Sequence, residues 1–270
     1  MSKQVDDKIG ALSRVLDGMR RVAVAVSGGV DSVTLASAAH RQLGDNATMF
    51  HAVSPAVPPE ATERTRQHAG RFGWKLEIVD AGEFSDPGYL RNPVDRCFFC
   101  KSSLYGTIAG RSSNVIVSGT NLDDLKDFRP GLQAAANHGV RHPYVECGID
   151  KAMVREIARA FDLGDMADLP ASPCLSSRIE TGIAVDAPTL GLVHAVEKFV
   201  GRSLQTNIVR CRVRRDGLVI ELDGPTFERV VHERNDLLRE ELGQLCAARG
   251  FPGEARFERY SMGSAFLRDQ

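Results

Sequence analysis

Arg21-Val22-Ala23-Val24-Ala25-Val26, running directly into Ser27-Gly28-Gly29-Val30-Asp31-Ser32, decides the fold class of this 270-residue chain. The run after Arg21 has no polar alternation, as expected of a strand buried on both faces. Beyond the glycines, Val33, Leu35, Ala36, Ala39 and Leu43 recur at helical spacing. Strand, glycine turn and helix in that order aim backbone N–H groups and the positive end of a helix dipole at an anion, with phosphate the obvious guest. Gly28 and Gly29 permit close backbone approach, and Ser27 and Ser32 offer hydroxyls around the turn that Val30 and Asp31 close. The loop has neither the lysine of G-x-x-x-x-G-K-[ST] nor the spacing of G-x-G-x-x-G. A bare tight turn containing two glycines is the plainer reading. Asp31 would repel an anion unless compensated, so Mg²⁺ between Asp31 and the phosphates is expected.

Working outward, strand-like runs at 47–53, 75–79 and 114–118 alternate with helical stretches such as 59–72 and 102–110, preceded by an amphipathic helix carrying Ile9, Leu12, Val15, Leu16 and Met19. Alternation of this kind predicts an α/β unit with a parallel sheet covered on both faces. The strand that ends at His51-Ala52-Val53-Ser54 would bring backbone groups, Val53 among them, to an adenine beyond the carboxyl ends of the strands. A last helix at 151–161 and an exit loop at 165–173 close this unit. From about residue 186 the pattern changes to a helix at 188–200, a hairpin of 207–214 and 218–222 around Arg215-Asp216-Gly217, a long helix at 226–249 and a strand at 255–260. These predict a smaller α+β unit, with domains at 1–185 and 186–270.

With 43% hydrophobic and 26% charged residues, the composition is that of an ordinary globular chain. Thirty-four Lys+Arg against 35 Asp+Glu leave a net charge of -1, which disfavours wrapping of long nucleic acid by bulk electrostatics. No apolar run reaches the ~20 residues of a membrane helix, and the N-terminus lacks a signal-peptide apolar core, so a reducing cytoplasm is expected. There, closely spaced cysteines bind metal or do chemistry more often than they form disulfides.

Six cysteines divide by context. Arg96-Cys97-Phe98-Phe99-Cys100-Lys101 is a C-x-x-C with basic neighbours, and Pro173-Cys174-Leu175 puts a third thiol on the exit loop. Arg96, Lys101 and Arg178 favour thiolates, which are both ligands and nucleophiles. By spacing alone an iron–sulfur cluster with one open iron, a zinc site, a redox pair and simple thiols all stand open. Cys211 and Cys246 sit in apolar patterns, and Cys147 is undecided. His138 and His142 receive no function. Along the hairpin, Val209, Cys211 and Val213 alternate with Arg210, Arg212 and Arg214, so one face is basic and suited to phosphate or carboxylate, with Glu221 on the partner strand able to neutralise one arginine or join a metal. A solvated charged face is the simpler alternative. Asp124, Asp127 and Arg129 follow a strand end, where they would position substrate or merely cap and pair.

The SGGVDS loop resembles that of the PP-loop ATP pyrophosphatases. Together with RCFFCK (96–101), GTNLDDLKDFRPG (119–131) and PCLSSR (173–178), in this order, it is similar to the LarE family of ATP-dependent sulfur transferases, which make thiocarboxylates during synthesis of the nickel-pincer nucleotide cofactor. The resemblance covers residues 20 to about 225. It implies a PP-loop (adenine nucleotide alpha hydrolase-like) domain followed by a smaller α+β domain, with ATP held by Ser27, Gly28, Gly29, Val30, Asp31, Ser32, Val53 and Gly119. It further implies a [4Fe-4S] cluster on Cys97, Cys100 and Cys174, the type of the family in which all three positions are cysteine. In the other type the single cysteine, here Cys174, gives up its own sulfur. Arg210, Arg212 and Glu221 would form a phosphate- and metal-binding cluster, and Asp127, Arg129 and Arg178 would join them on the substrate. The substrate implied is a pyridinium dicarboxylate mononucleotide, the sulfide donor is open, and a homo-oligomer is expected. A PP-loop tRNA thiolase and a non-catalytic ATP-binding sensor are the alternatives, one lacking an evident RNA-binding appendage and the other any need for three thiols.

Overall fold

The computed structural model describes residues 2–126, 130–171, 173–232, 236–251, 253–261 and 263–265. Its first half runs α1 (Lys3–Met19), β1 (Val22–Ala25), α2 (Val30–Leu43), β2 (Ala47–Ala52), α3 (Pro59–Phe72), β3 (Lys75–Val79), a short α4 (Pro87–Leu90) and α5 (Arg96–Arg111). Then come β4 (Val115–Ser118), α6 (Pro130–Asn137), α7 (Pro143–Glu146), α8 (Lys151–Ala160), α9 (Ala187–Leu204), β5 (Val209–Arg214), β6 (Gly217–Leu222), α10 (Gly224–His232), α11 (Asp236–Ala247) and β7 (Arg256–Arg259). The chain packs as two units, Met1–Glu83 with Asp95–Ser172, and Phe84–Val94 with Pro173–Gln270. The sequence suggests a linear cut at 185/186, whereas the packing divides the chain after residue 172 and assigns the early segment 84–94 to the second unit as well. Tyr89 and Asn92 are the physical reason: the Tyr89 hydroxyl meets Ser176 Oγ at 2.6 Å, and the Asn92 amide donates to the Glu180 and Ile183 carbonyls at 2.8 Å each.

In the first unit four parallel strands lie in the order β3-β2-β1-β4. All four residues of β1 are buried, as its apolar run requires of an interior strand. Helix α1 starts on the Ser2 cap, whose hydroxyl accepts from Val5 N–H, and buries Val5, Leu12, Leu16 and Met19 in the core shared with β1, α2 and α8. Full burial of each such aliphatic side chain contributes roughly 1.5–3 kcal/mol. Strand order sets where a ligand can bind. The chain leaves β1 toward β2 on one side, while β4 lies on the other, so the sheet has its switch point between β1 and β4. Ligands of open α/β sheets bind in the crevice beyond the carboxyl ends of such a strand pair.

The second unit is a mixed sheet in the order β5-β6-β7 with its helices. Asp186 caps α9 by accepting from Thr189 N–H at 2.7 Å, just ahead of Pro188 in the first turn. β5 and β6 form an antiparallel hairpin pairing Val209 with Leu222 through to Arg214 with Gly217. The loop is therefore Arg215-Asp216, one residue shorter than the sequence suggests, because Gly217 pairs with Arg214 while adopting φ +122°. β7 runs parallel to β6, a pairing that needs a crossover, and α10 and α11 supply it. These two helices stand where one helix over 226–249 is expected, and residues 233–235 are outside the described residues. No helix among the described residues is long and apolar enough to cross a membrane.

Candidate functional site

The glycine loop leaves the carboxyl end of β1 and opens α2, with Gly29 as the cap residue. Gly28 has φ +79°, a left-handed conformation that favours glycine, and a Cβ there would lie 2.5 Å from the Ala61 carbonyl oxygen of α3. Gly119, directly after β4, is required for a different reason: its Cβ would lie 2.9 Å from the backbone carbon of Asp31 and nitrogen of Ser32. The switch-point crevice is thus walled by two glycine contacts from opposite sides. Within the loop Ser27 N–H donates to Ser32 Oγ at 3.0 Å, and the Ser32 hydroxyl donates to Gly29 O at 3.1 Å. Gly29 N–H reaches Ser27 Oγ only at 3.4 Å, the long limit of a hydrogen bond. An arriving anion can therefore take this donor at little cost.

The charge of Asp31 is met by the protein. Lys151 Nζ, at the start of α8, lies 2.5 Å from Asp31 Oδ2, Asn121 Nδ2 donates to Oδ1 at 3.2 Å, and the Tyr144 hydroxyl donates to the Asp31 carbonyl at 3.0 Å. Burial, with the Asp31 charge adding to it, raises the Tyr144 phenol well above its ordinary range and keeps it a neutral donor. Asn121 is itself fixed, its N–H donating to Asp124 Oδ2 and its Oδ1 accepting from Asp123 N–H, while Asp123 Oδ2 accepts from Lys151 N–H. Asp124 thereby orders the loop after β4. Asn121, Tyr144 and Lys151 are the members that sequence reading missed, since nothing in a lysine opening a helix signals a carboxylate 120 residues away.

His51 and Val53 lie on the next strand end. His51 is buried, with Nδ1 2.9 Å from Val26 O and Nε2 2.9 Å from Thr62 Oγ1. The carbonyl only accepts, so Nδ1 carries the proton and Nε2 accepts from threonine. Burial lowers the His51 pKa, and the ring is a neutral strut between β1 and α3. Val53 N–H is committed to Val79 O at 2.9 Å, which leaves its carbonyl and side chain for a ligand.

Cys97 and Cys100 are the second and fifth residues of α5, which begins six residues earlier than the helix read from the sequence. Spaced i, i+3, they share one helix face at its positive end, half-buried. Two thiols so placed fit a cluster or metal as paired ligands. Cys174 belongs to the second unit, half-buried just before a 3₁₀ turn, Leu175–Arg178. Among the described residues no three or more His, Cys, Asp or Glu side chains gather as a metal site, and no disulfide is formed. Cys211 and Cys246 are buried in the second unit and burial raises both thiol pKa values.

In the second unit the arginines are more enclosed than a basic hairpin face implies. Arg178 is 2% exposed and spends its guanidinium on the protein, with Nε and Nη2 on the two Glu197 oxygens at 2.9 and 3.0 Å and Nη1 on the carbonyls of Pro173 and Cys174 at 2.6 and 3.0 Å. It positions the Cys174 loop, and that work leaves it no fork to offer a substrate. Arg212 is buried, bonded from Nε to Glu221 Oε2 at 2.9 Å and from Nη1 to Ser177 O at 3.0 Å. Arg214 bridges Glu221 and Glu258 at 3.1 and 3.0 Å. Glu221, 1% exposed, thus neutralises two arginines where one is expected: Arg212 lies diagonal to it in the hairpin register, and Arg214, two residues further along the same face, reaches back to its other oxygen. Arg210 stacks over the Tyr260 ring at 5.8 Å, and burial, then the Arg178 charge, lower its pKa, with Glu197 offsetting part. Asp127 and Arg129 lie outside the described residues.

A parallel α/β sheet with a glycine loop opening a helix at its switch point defines a PP-loop type nucleotide-binding fold. Over 233 residues the chain is 37% identical to an uncharacterized protein of Synechocystis, covering 85% of this chain and 86% of that protein. It is 30% identical over 220 residues to the pyridinium-3,5-bisthiocarboxylic acid mononucleotide synthase of Lactiplantibacillus plantarum, covering 80% and 79% of the two. A weaker likeness, 28% over 182 residues, joins 60% of this chain to 56% of a glutamine-hydrolyzing GMP synthase component from Methanopyrus kandleri. No family model matches the chain. At this identity and coverage the chain belongs to the LarE family, that of the Lactiplantibacillus synthase.

Proposed function

We propose that the protein is an ATP-dependent, AMP- and pyrophosphate-forming sulfur transferase that converts a carboxylate of pyridinium-3,5-biscarboxylic acid mononucleotide to a thiocarboxylate in nickel-pincer cofactor synthesis. What carries the reading is the glycine loop, with its loosely held Gly29 N–H and its Asp31–Lys151 pair, in a chain alike over four fifths of its length to the Lactiplantibacillus synthase. A substrate carboxylate oxygen attacks the α-phosphorus of MgATP, the bond to the β-phosphate oxygen breaks, and an acyl-adenylate and pyrophosphate result. The loop N–H groups and the α2 dipole stabilise charge on the departing pyrophosphate. Asp31 would face the magnesium of MgATP, leaving the Lys151 ammonium for phosphate oxygens. Sulfur then attacks the acyl carbon and AMP leaves, giving the thiocarboxylate. Cys97, Cys100 and Cys174 would hold a [4Fe-4S] cluster, which when bound supplies a sulfide on its open iron. Arg178 keeps Cys174 in place through its backbone, and Arg210, Arg212 and Glu221 would form a phosphate- and metal-binding cluster, the arginines on the substrate phosphate and the Glu221 carboxylate on a cation.

The experiment is a coupled assay for pyrophosphate and AMP. Release that depends on the pyridinium dicarboxylate mononucleotide supports the reading, and release stimulated by tRNA instead would overturn it. Anaerobic reconstitution should load about four irons per chain, and Cys97→Ala should abolish the visible absorption. Cys174 should keep its mass after turnover; loss of the mass of H₂S there would replace the cluster with a sacrificial cysteine.

A further inference from the structure

The glycine loop rests on α3 through two contacts that its own sequence motif does not contain. The Ala61 carbonyl abuts Gly28, and one turn further along the helix Arg64 Nε donates to the Gly28 carbonyl at 2.8 Å. This is the only hydrogen bond Arg64 makes among the described residues, and no carboxylate is ion-paired with it there. Burial lowers the Arg64 pKa, with Glu60 offsetting part of the shift, so a cation is kept half-buried beside the loop for a backbone contact alone.

The geometry of the amide shows what that contact does. Gly28 C=O and Gly29 N–H belong to one planar trans peptide and point in opposite directions. Flanked by two glycines, this peptide is the unit of the loop with the lowest barrier to flipping. In the flipped orientation it would present a carbonyl oxygen to the site and repel an anion. Gly29 N–H in fact points toward Ser27 Oγ, on the opposite side from Arg64.

We propose that Arg64 is a positioning residue of the phosphate loop, holding the Gly28 carbonyl against α3 so that Gly29 N–H faces the anion. The assignment rests on the reading of this loop as the MgATP site. The cation also screens the negative end of the same peptide dipole, so the pinned orientation is the one that favours negative charge. Anion binding at the loop thus depends on α3, which lies outside the loop motif.

Titration calorimetry of the full-length protein with MgATP tests this, with urea midpoints as the check on folding. Arg64→Met should weaken MgATP binding at least tenfold while the midpoint moves little. Arg64→Lys keeps a cationic donor within reach of the carbonyl and should bind within threefold of wild type. In the coupled assay the loss in Arg64→Met should fall on KM for ATP, with kcat within threefold. Wild-type binding of MgATP together with unchanged binding by folded Arg64→Met overturns the Arg64 assignment alone. Failure of the wild type to bind MgATP overturns the loop reading and this assignment with it. Should Arg64→Met not fold, Arg64→Gln, uncharged and shorter, carries the same tenfold expectation, and wild-type affinity in it overturns the proposal.

Discussion

Lys151 Nζ lies 2.5 Å from Asp31 Oδ2, joining the first residue of α8 to the second residue of α2. The side chains are 34% and 27% exposed, between a surface pair and a buried one. Solvent screening therefore limits their coupling to about 1 kcal/mol. A double-mutant cycle of Lys151→Met and Asp31→Asn in urea unfolding should recover about that energy, and 1 M NaCl should reduce it.

Two glycines at the loop should respond unlike a third. Gly28→Ala meets both the positive φ and the Ala61 carbonyl, at roughly 1–3 kcal/mol of backbone strain plus a comparable overpacking cost. Gly119→Ala meets only the second kind of obstacle, here the backbone of Asp31 and Ser32. A methyl group added at Gly70, within α3, would meet nothing within 4 Å, and Gly70→Ala should stabilise by about 0.5–1 kcal/mol. Thermal unfolding of the three variants checks the order.

Removing Glu197 should be severe. Its carboxylate takes two bonds from Arg178 and one from Cys211 N–H at 3.0 Å. Glu197→Ala leaves a buried guanidinium without its counter-charge, a loss of about 3–5 kcal/mol. Because the same guanidinium holds the Pro173 and Cys174 carbonyls, iodoacetamide labelling of Cys174, followed by mass spectrometry, should accelerate in the milder Glu197→Gln.

Acid should weaken the first unit through its histidines. Burial lowers the pKa of His51, His68 and His142 below the ordinary 6.5. Between the folded and unfolded pKa values the unfolded chain binds the extra protons. Stability is therefore complete above about pH 6.5 and lost as pH falls through that value toward the folded pKa values. Urea midpoints from pH 7.5 to pH 5 should show the fall, and His51→Gln should flatten part of it.

Much of this molecule is legible in one dimension because its signals are local. The apolar Val22–Ala25 run, the glycines after it and the alternation of strands with helices specify a parallel α/β sheet and an anion loop, since burial on both faces and positive φ are demands on neighbouring residues. The hairpin alternation likewise buries Val209, Cys211 and Val213. Of the charges that meet, only the pairing of Glu221 with one hairpin arginine was legible. Lys151 reaches Asp31, Arg64 reaches Gly28 O and Glu221 takes two arginines only because strand order and register bring distant positions within hydrogen-bond range. Tyr89 and Asn92 join the second unit for the same reason, by bonds to partners almost ninety residues away. Backbone conformation and burial pattern follow from short-range sterics and hydrophobicity, so the sequence determined them. Compensation of charge is a property of three-dimensional proximity, and only the tertiary structure decided it.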